Sequence, residues 1–181
     1  MNLEEKTLSK KYIYNGRIIN MRVDEAQLPN GKKASREMVE HPGGVTVAAL
    51  TDKQELLFVR QFRYPYSEVV LELPTGKRDP GEEPFVTGKR ELREETGAVA
   101  KTYCDLGKFY PTPGYTNEVI YLYGAKDLTF TSLDLDEDEF LNVERIPLDK
   151  AVEMVLNNEI PDGKTQTAIL KINELIRRGK F

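Results

Sequence analysis

The pattern of apolar and polar positions makes the first 70 residues read as strands. Ile19, Met21 and Val23 interleave with Asn20, Arg22 and Asp24, which predicts a half-buried strand with the apolar set facing inward. Pro29-Asn30-Gly31 supplies a turn, and Ser35–His41 reads as the return strand. His41-Pro42-Gly43-Gly44 breaks it. Val45–Leu50 is an apolar run, interrupted in polarity only by Thr46, and predicts a buried strand. Thr51–Gln54 turns the chain into Leu56–Phe62, and Val69–Leu73 is a further strand ended by Pro74.

The period then changes. Pro84 suits a first helical turn, and Gly97 suits the position just past a helix end, so one strong helix is predicted between them. Phe85 and Leu92 fall on one face and are taken as its buried side. Strands resume at Tyr103–Phe109, Val119–Tyr123 and Phe140–Ile146, and helices follow at about Leu148–Asn157 and Thr165–Arg177. This order of elements predicts a mixed sheet sandwiched by helices, of the α/β (α+β) class.

Composition narrows the chemistry. The 181 residues fit about one domain with an adequate core of its own. One Cys (Cys104) and one His (His41) exclude a disulfide framework and a Cys/His zinc site. Chemistry must therefore rest on carboxylates, Lys, Arg, Tyr or a hard metal ion. A net charge of −4 is a poor platform for the phosphate backbone of nucleic acid. No apolar run approaches the roughly 20 residues of a membrane span. The N-terminus MNLEEKTLSKKY lacks the apolar segment of a secretory signal, and a cytoplasmic location is expected.

The informative stretch is Gly76–Ala98, GKRDPGEEPFVTGKRELREETGA. At about 100° per residue, with Phe85 at zero, Glu91, Glu94 and Glu95 fall near 240°, 180° and 280°. They read as a stripe turned away from the core, with Glu82 at the helix entrance. Like charges at this spacing repel by a few tenths of a kcal/mol each, and they sit badly near the helix C-terminus. A divalent cation resolves the conflict, and oxygen-only donors suit Mg²⁺ or Mn²⁺. A merely solvated charged face is the plainer alternative.

The spacing decides between them. Gly76, five residues, Glu82, seven residues, then Arg90-Glu91-Leu92-Arg93-Glu94-Glu95-Thr96-Gly97-Ala98 resembles the Nudix box, GX5EX7REUXEEXGU. Seven fixed identities at about 6% each give a chance match below about one in 10⁸ per window. Ala98 departs from the usual larger aliphatic residue.

The resemblance implies a Nudix hydrolase with an α/β/α sandwich around a central mixed sheet, cleaving a nucleoside diphosphate linked to another group. It implies Glu91 and Glu95 as metal ligands and Glu94 as a further ligand or positioner. The Thr75 carbonyl is an extra candidate ligand. Arg90 would orient the Glu side chains, Glu82 would pair within the loop, and Gly76 would allow a sharp loop before the helix that Gly97 ends. A carboxylate outside the box takes the proton.

Other segments resemble the ADP-ribose pyrophosphatase branch. Arg36–Gly44 looks like its REVVEHPGA strand and turn, and Gln61-Phe62-Arg63-Tyr64-Pro65 like its QFRXP segment. Pro113, 15 residues past Ala98, stands where that branch carries a proline, and Gly114 follows it. Asp136–Phe140 resembles its acidic loop. The likeness runs from about residue 10 to 165 and implies cleavage of ADP-ribose to AMP and ribose 5-phosphate. Arg63 and Arg36 would contact phosphate, with Pro113 and Gly114 shaping the pocket. Glu139 would be ligand or base and Glu137 the alternative base, while His41 reads as structural. Another nucleoside diphosphate sugar, a nucleoside triphosphate, or a silent nucleotide sensor are the alternatives. Residues 1–40 are expected to form an N-terminal strand region, exchanged in a homodimer, ahead of a catalytic domain at 41–181.

Overall fold

The computed structural model describes residues 2–132 and 140–181. It divides into two compact units, the first holding the chain up to Gly43 together with Tyr110–Val119. The second holds Gly44–Phe109 and Ile120–Phe181. The segment at 110–119 thus belongs with the N-terminal strands, although the sequence alone assigns it to the later domain.

In the first unit, β1 (Lys6–Asn15), β2 (Asn20–Gln27) and β3 (Lys33–Glu40) form an antiparallel sheet in that order. Gly31, at φ 81°, makes the β2–β3 turn where a side chain would be strained. The alternation predicted for β2 is present, but its sense is inverted. Arg22, Asp24 and Ala26 are buried, while Met21 is 37 % exposed. The reason is electrostatic. Arg22 reaches Asp24 at 3.3 Å and Glu40 at 2.5 Å, so the buried charges come as a set. Residues 110–119 dock on β3, with the Val39 amide donating to the Tyr115 carbonyl at 2.8 Å.

In the second unit, β4 (Gly44–Ala49), β7 (Thr75–Lys77), β8 (Ala98–Phe109) and β9 (Ile120–Phe130) form one sheet in the order β7-β4-β9-β8. It is mixed, because β4 and β9 run parallel and the other pairs antiparallel. A second, antiparallel sheet has the order β10-β5-β6, with β5 Glu55–Arg63, β6 Glu68–Glu72 and β10 Leu141–Pro147.

Alternate positions of β4 enter two different cores. Val45, Val47 and Ala49 join Leu57, Ala98, Ala125 and Leu92 of helix α1 (Pro84–Thr96). Ala48 joins Phe58, Leu73, Leu122, Ala151, Ile169 and Ile172 beneath α2 (Leu148–Leu156) and α3 (Gly163–Arg177). A strand apolar on both sides is what a sheet covered on both faces needs, which is why Val45–Leu50 carries no polar alternation. The result is the helix–sheet–helix sandwich expected from the sequence.

Candidate active site

Helix α1 begins with proline at its first turn and ends on Gly97 at φ 69°, whose amide closes onto the Arg93 carbonyl at 2.8 Å. A Cβ at Gly97 would also stand 2.5 Å from the Thr131 carbonyl oxygen. The face the helix buries is not the one centred on Phe85, which is 42 % exposed at its margin against Tyr103 and Tyr123. The buried set is Thr87, Gly88, Glu91, Leu92, Glu95 and Thr96. Glu91 and Glu95 are therefore 7 % and 2 % exposed, and the expected outward stripe is corrected. The sequence angles were sound; the centre of the face lies about 80° away from Phe85, because β7 covers that side.

β7 is what receives the two carboxylates. The Thr75 amide donates to Glu95 Oε2 at 2.9 Å. The Glu91 carboxyl group lies against Gly76, where a Cβ would stand only 1.7 Å from its carbon. Gly76 is needed for this close approach rather than for a sharp loop, since its φ is not left-handed. The two buried carboxylates thus rest on adjacent residues of β7, Glu95 on the Thr75 amide and Glu91 against Gly76.

Arg90 organises the acids around them. Its Nη1 donates to Glu91 Oε1 at 2.8 Å and to Glu94 Oε2 at 2.9 Å. Its Nε and Nη2 reach Glu82 at 3.2 and 3.1 Å, and Nη2 also reaches the Lys77 carbonyl. One planar fork therefore spans three carboxylates and the loop before the helix. Glu82 further accepts from the Thr87 hydroxyl at 2.7 Å and the Asp79 amide at 3.3 Å. Hydrogen bonding from Arg90 is the chief reason its carboxyl is held at about 2, well below the usual range.

Among the described residues, no three acidic, His or Cys side chains already converge as a finished metal cage. Arg90 sits between Glu91 and Glu94, and Glu95 rests on the Thr75 amide. The donor set nevertheless fits a hard divalent cation. It is all oxygen, two of its carboxylates are buried, and both are anchored within one peptide unit of each other.

The other expected residues fall in different places. In the second unit, Arg63 makes a bidentate pair with Glu72 through Nε (2.6 Å) and Nη2 (2.7 Å). In the first unit, Arg36 pairs with Glu5 at 2.6 Å on the N-terminal sheet. Pro113 lines a cleft of about 210 Å³ there with Tyr110, Thr116 and Asn117. Gly114 has nothing within 4 Å of a would-be Cβ. His41 closes its turn by accepting from the Gly43 amide at 3.1 Å. Glu137 and Glu139 lie outside the described residues.

Sequence reasoning missed Glu72 and Lys164. Glu72 is 2 % exposed and binds both Arg63 and Lys164. Burial pushes its carboxyl upward, but those cations outweigh burial and hold it below the usual value. The available signal was an acid inside the apolar run Val69-Val70-Leu71-Glu72-Leu73, which requires a buried partner.

Comparison with known proteins identifies the family. The NUDIX domain model matches residues 40–166, and the nucleoside diphosphate sugar hydrolase N-terminal domain model matches residues 5–44. A Bacillus subtilis (strain 168) protein called ADP-ribose pyrophosphatase is 41% identical, over 99% of both chains. A Bacillus methanolicus protein called methanol dehydrogenase activator is 39% identical, over 96% of both chains. A solved structure described as an ADP compounds hydrolase shares the fold at a TM-score of 0.86 and 23% identity, covering both chains fully. With the box residues assembled around Arg90 and the family model spanning most of its length, the chain belongs to the Nudix family of hydrolases.

Proposed function

We propose that this protein hydrolyses the diphosphate of ADP-ribose, giving AMP and ribose 5-phosphate, with Mg²⁺ or Mn²⁺ as its metal. The observation that carries the reading is the pair of buried carboxylates, Glu91 and Glu95, resting on the adjacent β7 residues Gly76 and Thr75. Glu91, Glu95, Glu94 and the Thr75 carbonyl would hold the cation, which supplies charge neutralisation at the diphosphate oxygens. Arg90 orients Glu91 and Glu94 by charge-assisted hydrogen bonds. Arg63, with its Nη1 edge unused by Glu72, contacts the diphosphate. Arg36 is assigned a further phosphate contact by resemblance alone. Glu139 or Glu137 accepts the proton of the attacking water, with Glu94 the next candidate. Pro113 and Gly114 are assigned to the terminal ribose by resemblance; within the first unit, Pro113 lines a cleft.

The protein acts as a homodimer in this reading. Support comes from the exposed apolar side chains Leu8, Tyr12, Ile13 and Met21 on the N-terminal sheet and Ile18 in the β1–β2 connection. A cytoplasmic setting is supported by the free Cys104, and no described helix is long and apolar enough to cross a membrane. A second reading, another nucleoside diphosphate sugar as substrate, is favoured by the N-terminal model's description. Measuring kcat/KM with Mg²⁺ across ADP-ribose, GDP-mannose and UDP-glucose separates the two. The proposal expects ADP-ribose to lead by at least about tenfold; a lead for either of the others replaces it.

A further inference from the structure

Glu72 ends β6, three residues before Thr75, and is buried to the same degree as Glu95. Three charge-assisted hydrogen bonds converge on it. Arg63 supplies two, and Lys164 Nζ supplies the third at 2.6 Å. Lys164, itself 8 % exposed, also reaches Asp162 at 2.8 Å. Asp162 in turn caps α3 by accepting from the Thr165 amide at 3.0 Å. The Thr165 hydroxyl accepts from the Leu73 amide at 3.0 Å, so residues 72 and 73 are both pinned by the first turn of α3.

A buried ion pair is a weak device for stability, since well-packed apolar residues do as well or better. This one has a geometric consequence instead. Arg63 spends Nε and Nη2 on Glu72, and its Nη1 edge has no partner among the described residues. That side chain remains 36 % exposed and lies within electrostatic reach of Glu95. Because Glu72 occupies only Nε and Nη2, the remaining N–H donors of Arg63 are left on its open edge, where they can meet an anion.

We propose that Glu72, clamped from behind by Lys164 at the start of α3, is the positioning residue that aims the Arg63 guanidinium at the substrate diphosphate. The proposal rests on the reading of Arg63 as the diphosphate contact. Glu72 touches no substrate; it fixes the angle of a fork whose bidentate contacts depend on direction. Lys164, itself held by Asp162, keeps the carboxylate from rotating with Arg63.

The test is a cycle of Arg63→Ala, Glu72→Gln and the double variant, measured by steady-state hydrolysis of ADP-ribose, or of whichever nucleotide sugar the wild type prefers. Mn²⁺ binding without substrate is measured in parallel. Each single change should raise KM by about 10–100-fold with kcat altered less than about threefold. The double variant should be no worse than Arg63→Ala, and Mn²⁺ affinity should stay at the wild-type value throughout. A merely structural role for Glu72 would instead lower Mn²⁺ affinity or kcat along with stability. If Glu72→Gln does not fold, Lys164→Met takes its place, with the same expected rise in KM and the same non-additivity. Wild-type KM in Glu72→Gln, or multiplication of its effect with that of Arg63→Ala, overturns the positioning role alone. Wild-type KM in Arg63→Ala overturns both the contact and the positioning role.

Discussion

Replacing Gly76 by alanine places one methyl group against the Glu91 carboxylate. The new Cβ would stand 1.7 Å from the carboxyl carbon, 1.9 Å from Oε1 and 2.2 Å from Oε2. Ordinary carbon contacts lie near 3.5–4.0 Å, so the carboxylate must retreat by roughly 2 Å. Metal sites tolerate about 0.2 Å in their ligand distances, which makes a shift of that size equivalent to loss of the ligand. The backbone itself accepts alanine, because Gly76 does not occupy the left-handed region. The alanine gains about 0.4–1 kcal/mol through the unfolded chain, against about 1–3 kcal/mol of local overpacking. Folding should therefore survive with a melting point only a few degrees lower. Mn²⁺ affinity, followed by electron paramagnetic resonance, should fall by at least about tenfold, and ADP-ribose turnover by about a hundredfold or more. Gly114→Ala, with open space around its Cβ, serves as the stability control. Wild-type Mn²⁺ affinity and turnover in Gly76→Ala would refute the placement of Glu91 in the metal site.

Glu95→Gln should fold normally and lose most turnover, since the amide can still accept from Thr75 but carries no charge for the cation; its combination with Glu91→Gln should be strongly non-additive by steady-state kinetics. Replacing the expected base, Glu139 or Glu137, by Gln should lower kcat by about 10²–10⁴-fold and leave KM near the wild-type value. Glu82 titrates at about 2 when folded and near 4.3 when unfolded, so its contribution is complete above about pH 5 and disappears as pH falls toward 2. Discounted for solvent screening, it amounts to about 1 kcal/mol; urea unfolding of Glu82→Gln and wild type should converge between pH 5 and 3, and parallel curves would count against it. Light scattering at micromolar concentration should give twice the chain mass, and a monomer would remove the dimer from the account.

Much of the fold can be read in the sequence, and particular residues explain why. Pro84 and Gly97 mark the ends of α1 because each acts through its own backbone geometry. Val45–Leu50 announces a strand covered on both sides. What periodicity does not supply is which side faces what. Glu91 and Glu95 are buried because the three-residue strand Thr75–Lys77, too short to show a pattern, crosses that face of the helix. β2 turns Arg22 and Asp24 inward because Glu40 and Met38 arrive from the neighbouring strand to receive them. Glu72 and Lys164 are 92 positions apart, and only their meeting in space shows that each completes the other. The box is different, since its spacing alone brings Glu82, Arg90, Glu91 and Glu94 within one fork.

The most direct test is product analysis of ADP-ribose incubated with the full chain and Mg²⁺, read by mass spectrometry. The account predicts equimolar AMP and ribose 5-phosphate, with formation stopped by a chelator, restored by added Mg²⁺, and nearly abolished in Glu95→Gln. ADP-ribose recovered intact with Mg²⁺ present, or cleavage indifferent to the chelator and to Glu95, would contradict it.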